Sequence, residues 1–97
     1  MSEEFLIRPV VKWFADEMEK TLRRNDHKGN TWTEMNFLNL ISRLEEEGDE
    51  LREACLSHRL RDTDFEQIIA EATDVANFAM FIADKAKETQ EAHDGKS

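Results

Sequence analysis

The chain is expected to fold entirely from α-helices, and three observations lead there. No stretch alternates apolar and polar residues as a half-buried strand does. Only three glycines and one proline punctuate its 97 residues, too few for a turn-rich β architecture. Two segments, Thr31-x-x-Glu34 and Thr63-x-x-Glu66, carry the capping-box pattern that satisfies unpaired N–H groups at a helix start.

The first helix is expected from Phe5 or Pro9 to Arg24. Pro9 suits a first helical turn, where its missing N–H does no harm, and residues 1–8 then form a lead-in. Val10, Val11, Phe14, Met18 and Leu22 supply an apolar stripe, and Trp13 reads as packing. Asn25 to Asn30 reads as a loop. The second helix is expected to open at Thr31 and run to about His58. At about 100° per residue, Phe37, Ile41, Leu44, Leu51 and Cys55 mark its core-facing stripe. Glu47 projects within the edge of that stripe, flanked by Leu40, Leu51 and Ala54, while Glu45, Asp49 and Glu53 point to water.

The third helix is expected from Thr63 to about Glu88 or beyond, with a frayed tail over about 91–97. From Val75 to Ala83 its only polar residue is Asn77. A helix apolar all round is buried on all sides, and a chain of this length cannot cover it alone. The expected architecture is therefore one domain spanning 1–97, a bundle of about three main helices completed by homo-oligomerisation.

Composition narrows the function classes. Twenty-two acidic residues against 13 basic ones give a net charge of −9, which disfavours nucleic acid and anionic membrane as partners. The lone Cys55 suits a reducing, cytoplasmic setting. No apolar run approaches a membrane span, and the N-terminus lacks a signal-peptide layout.

Two acidic segments carry the chemistry: Glu46-Glu47-x-x-Glu50 and Glu71-x-x-Asp74. Residues three apart share a helix face, so each segment can aim two carboxylates at one point, and two adjacent helices make a four-oxygen cage. Glu71 shares a sector with Val75, Phe78 and Ile82, and Asp74 sits between Phe78 and Phe81. Carboxylates so placed must be protonated, ion-paired or bound to metal. An ion-pair network with Arg43, Arg52 or Lys85 is the plainer alternative. Oxygen-only ligands select Mg²⁺, Mn²⁺ or Ca²⁺ over zinc or copper, and His27, His58 and His93 form no Glu-x-x-His pair for a di-iron site. Magnesium keeps positions open for phosphate oxygens, so the substrate should carry phosphates.

The two segments, separated by twenty residues, resemble the E-E-x-x-E…E-x-x-D signature of the MazG-like, all-α nucleoside triphosphate pyrophosphohydrolases. Leu44, Leu51 and Ala54 around the first segment and Val75-Ala76-Asn77 after the second agree with it. The loop His27-Lys28-Gly29 with Trp32, and the stretch from Asn77 to Asp84, resemble small phage and bacterial members. The likeness runs from about Val10 to Asp84. It implies a homodimer or homotetramer that cleaves a nucleoside triphosphate between its α and β phosphates, giving a monophosphate and pyrophosphate. By resemblance, Glu47, Glu50, Glu71 and Asp74 are the Mg²⁺ ligands, with Mn²⁺ a possible substitute, and Glu46 orients or deprotonates the attacking water.

Smaller expectations attach to the substrate. Trp32 can stack on a base or staple the helix start; Lys28 can meet phosphates or sit in solvent. Asn77 can bond the ligand sugar or an interhelical partner. Lys85 points roughly as Asp74 does, three turns on, and can reach phosphates on another protomer or snorkel to water. The rival reading is a non-catalytic acidic helical dimer that serves as a protein-interaction module.

Overall fold

Helix α1, Pro9–Arg24, starts at the only proline. The structure, a computed structural model, describes residues 6–28, 31–56 and 62–95. Arg8 before Pro9 is extended, with φ −60° and ψ 141°, the conformation that a following proline favours. Of the two expected starts, the described residues therefore take Pro9. At the other end Arg23 and Arg24 complement the negative helix terminus. Asn25 closes it, its N–H donating to the Leu22 carbonyl at 3.1 Å and its Nδ2 to the Thr21 carbonyl at 3.0 Å.

A 3₁₀ turn at Asp26–Lys28 follows, and a second at Thr31–Glu34. The second one corrects the expectation that a long helix opens at Thr31. Helix α2 begins six residues later and spans Phe37–Cys55, capped by Asn36, whose Oδ1 accepts the Asn39 N–H at 2.8 Å. Asparagine is among the strongest N-caps. Trp32 explains the displaced start: its ring stacks on Phe81, centroids 4.5 Å apart and planes 9° from parallel. That contact holds the 3₁₀ turn against the third helix, and extended backbone at Asn36 (φ −83°, ψ 172°) separates it from α2. Gly29, the expected helix end at His58, and the side chains of His27, Thr31 and Thr63 lie outside the described residues.

Helix α3 spans Asp62–Asp94, 33 residues, and continues past the expected tail boundary at 91. It runs antiparallel to α2. Lys85 lies over Phe37, Arg43 over Phe78, and Glu47 interacts with Asp74, so positions pair in descending order along α3. Helix α1 docks on α3 as well, and Asn77 Nδ2 reaches the Met18 carbonyl at 3.4 Å. No strand occurs among the described residues.

The interior is small and unusual in chemistry. Among the described residues the most buried are Leu40, Phe81, Glu47, Thr73 and Asn77, at 0, 7, 8, 1 and 4% exposure. The Thr73 hydroxyl donates to the Ile69 carbonyl at 2.7 Å, which makes its burial tolerable. On α2 the inward line is Leu40, Leu44, Glu47, Leu51 and Ala54. Phe37, Ile41 and Cys55, expected in the core, are instead exposed. They lie 60–100° around the helix from Leu40, on a flank where α3 reaches Phe37 through Lys85 and still leaves it 43% exposed. Val10, Val11 and Trp13 are likewise exposed rather than packed. Met80, within the apolar run of α3, is 37% exposed. Leu40→Ala should cost about 2–5 kcal/mol, read from denaturant midpoints. A loss below about 1 kcal/mol would put the cohesion of α2 and α3 elsewhere.

Candidate metal centre

Antiparallel packing of α2 and α3 brings the two acidic segments face to face. Glu47, Glu71 and Asp74 each offer a carboxylate oxygen, and these oxygens all lie within 4.8 Å of one another. On α3 the three-residue step from Glu71 to Asp74 puts both acids on one face, as the spacing requires. Glu47 faces them because it follows Leu40 by seven residues, two turns along the same inward line.

Glu50 sits on the outer side of this group and is exposed. It stands close enough to both Glu47 and Glu71 to raise the proton affinity of each. The Gln67 amide donates to Glu71 Oε1, while Glu71 Oε2 is buried with no partner. All four acids expected as ligands thus meet at one seam, three of them in mutual reach of a single ion. Glu46 does not join them. It is on the exposed side of α2, where its Oε2 accepts from Arg43 Nη1 at 2.6 Å.

The electrostatics follow from burial and crowding. Glu47 is pushed from 4.5 up to about 7, first by burial and then by Glu50 and Asp74, with Arg43 opposing. Glu71 is raised by burial and by Glu50, against the Gln67 hydrogen bond. Asp74 is raised by burial and by Glu50, against Arg24 and Arg43. Arg43 does form the ion pair foreseen as the plainer alternative, but it spans Glu46 and Glu47, and its Nη2 is 3.4 Å from Glu47. Arg43 and Arg24 offset only part of the burial and mutual repulsion, so the acids are driven toward their neutral forms.

The donor set fits a hard divalent cation. Every donor is a carboxylate oxygen, the chemistry that Mg²⁺, Mn²⁺ and Ca²⁺ prefer. A buried carboxylate oxygen without a hydrogen bond, as on Glu71, is costly unless a cation meets it.

A cavity of about 360 Å³ opens beside the cluster, bordered by Glu47, Asp74, Arg43, Lys28, Trp32 and Asn77 among others. Three of the four substrate-binding expectations, Lys28, Trp32 and Asn77, are thus brought together. Trp32 has one face covered by Phe81, and its Nε1, like Asn77 Oδ1, is buried without a partner. Lys85 is not brought to the site. It lies against Phe37 at 5.9 Å, and eleven residues of helix separate it from Asp74 by roughly 16 Å. Sequence reasoning did not single out Arg43 as a wall of this cavity. Its position three and four residues before Glu46 and Glu47 was the available signal.

An uncharacterized protein of Archaeoglobus fulgidus is 38% identical to this chain over 78 residues, a match covering 77% of this chain and 78% of the archaeal one. The chain belongs to the family of that archaeal protein. The match spans about 75 of 97 residues, so both acidic segments of this chain fall inside the aligned stretch wherever it begins. No family model matches the chain, and no solved structure matches it. Among the described residues no helix is long and apolar enough to cross a membrane.

Proposed function

We propose that this chain is a magnesium-dependent nucleoside triphosphate pyrophosphohydrolase, cleaving between the α and β phosphates to release a monophosphate and pyrophosphate. One observation carries the reading: Glu47, Glu71 and Asp74 converge within 4.8 Å at the edge of a cavity of about 360 Å³. That volume falls in the range of small-molecule sites. The MazG-like signature supplies the reaction type. Manganese is the natural substitute ion.

Each residue then has a task. Glu47, Glu71 and Asp74 hold the cation, and Glu50 completes the set from the outer side. Bound there, magnesium supplies charge neutralisation at phosphate oxygens and a more acidic water. Phosphoryl chemistry needs little covalent help, so positioning and charge are most of what the protein must provide. Trp32 and Asn77 line the cavity with an unpaired donor and an unpaired acceptor, which the nucleoside would use. Lys28 adds positive charge at the rim.

The working unit in this proposal is a cytoplasmic homodimer or homotetramer, with neither nucleic acid nor membrane as partner. The radius of gyration is 16.1 Å, against about 13 Å for a compact chain of this size. Val10, Val11, Trp13, Phe37, Leu38 and Ile41 are exposed, an apolar surface of the kind that association covers.

A panel of ribo- and deoxyribonucleoside triphosphates with Mg²⁺, read for both pyrophosphate and phosphate, tests the proposal. Stoichiometric pyrophosphate with at least one nucleotide is the expected result. Release of phosphate alone would mean cleavage at the γ position and a different enzyme. The rival reading, a non-catalytic interaction module, expects no product and no magnesium-dependent rise in melting temperature.

A further inference from the structure

Arg43 makes three contacts at the cavity wall, with its side chain about half exposed. Its Nη1 is 2.6 Å from Glu46 and its Nη2 3.4 Å from Glu47. Its Cζ lies 5.2 Å above the ring of Phe78, and both residues line the cavity. Lys28, the other cation in that lining, has a flexible stem and no fork geometry.

The two ion pairs are unequal. The contact to Glu46 is short even for a charge-assisted bond, whereas the one to Glu47 lies beyond the usual 2.7–2.9 Å or so. The first is a clamp. The second is a loose pairing with a carboxylate that also faces Asp74 and Glu50. If Glu47 turns its charge to a cation, Nη2 loses most of its counter-charge and is left as a donor beside the cavity. A guanidinium has five N–H donors, so Nε and Nη2 are available while Nη1 stays on Glu46. Two parallel donors match two oxygens of a phosphate.

We propose that Arg43 is the phosphate-receiving residue of this cavity, and that Glu46 is its positioning residue rather than the base that activates water. The proposal rests on the phosphate-substrate reading above and deepens it. Arg43 is counter-ion to Glu47 in the empty site and donor to the ligand in the loaded one. Cation and phosphate therefore assist each other's binding, and the assistance is reciprocal.

The test compares wild type with Arg43→Gln, Arg43→Lys and Glu46→Gln, using inorganic pyrophosphate with saturating Mg²⁺ by calorimetry. It adds the melting-temperature shift from Mg²⁺ alone and the steady-state constants with the nucleotide turned over fastest. Arg43→Gln should weaken pyrophosphate binding roughly 10- to 100-fold, the range of one or two charge-assisted hydrogen bonds. Its magnesium shift should be preserved or enlarged, because a competing cation has gone. Arg43→Lys keeps charge without the fork and should fall between; it also serves if the glutamine variant fails to fold. Glu46→Gln should raise KM with a smaller change in kcat, whereas loss of a base would lower kcat and leave pyrophosphate binding intact.

Pyrophosphate binding in Arg43→Gln within twofold of wild type overturns the proposal, as does a wild type that binds no pyrophosphate. Parallel loss of pyrophosphate binding and the magnesium shift also overturns it, since Arg43 would then serve only to hold the cluster together. Arg43-dependent pyrophosphate binding in a protein that turns over no nucleotide would sink the hydrolase reading and leave this one standing.

Discussion

Replacing Glu47 or Asp74 by alanine is expected to cut nucleotide turnover by roughly 100-fold or more, with helix content near wild type. Both residues contribute to the three-carboxylate group within 4.8 Å, so either change would leave too few oxygens to hold the proposed cation. Circular dichroism separates this from unfolding. A cleaner partner is Glu47→Gln, which keeps the shape and removes the charge. In chelator at pH 8 it should melt above wild type, because wild type must then carry a buried, repelled carboxylate; with Mg²⁺ the order should reverse. Substantial residual turnover in Glu47→Ala or Asp74→Ala would refute their role as ligands.

The second large effect is a pH dependence that changes sign with magnesium. Glu47 is raised from 4.5 to about 7 in the folded chain, so between those values the folded state holds a proton that the unfolded state has released. Stability falls as pH rises wherever the native state binds more protons. In chelator the melting temperature should therefore drop from about pH 4.5 to 7 and level off above, with Glu71 and Asp74 adding in the same direction. The Glu47 interval corresponds to a penalty on the order of 3 kcal/mol. In the proposed site magnesium would compete with those protons, so its stabilisation should be weak near pH 5 and grow through neutrality. A magnesium shift equal at pH 5 and pH 8 would place the ion elsewhere.

Much of this site was visible in the sequence because helical spacing is rigid. The three-residue step in Glu71-x-x-Asp74 fixes a shared face before any tertiary contact forms. The lean of Glu47 toward Leu40, Leu51 and Ala54 was equally legible, and Glu47 is 8% exposed. The start of α2 was not. A capping box at Thr31 and a capping asparagine at Asn36 compete locally, and a long-range contact between Trp32 and Phe81 decides between them.

The phase of α2 was misjudged for a related reason. The helix carries two apolar lines, one through Leu40 and Leu44 and one through Phe37, Ile41 and Cys55. Hydrophobicity alone does not say which of them packs into the seam with α3 and which stays exposed. For Lys85 the helical phase gives direction without distance, and three helical turns separate it from the acids. In the sequence Arg43 reads only as an ion-pair partner. Its place at the cavity wall depends on Phe78, which α3 supplies from 35 positions along the chain.

The scarcity of oil between these helices has a calorimetric consequence. Leu40 and Phe81 are the only apolar side chains among the described residues that are almost wholly shielded, and the heat-capacity increment of unfolding scales with the nonpolar area newly wetted. Melting of an isolated protomer should therefore show a shallow increment per residue and a broad, flat stability curve. An increment near the usual ~12–15 cal/mol/K per residue would instead reveal greasy surface dehydrated between protomers.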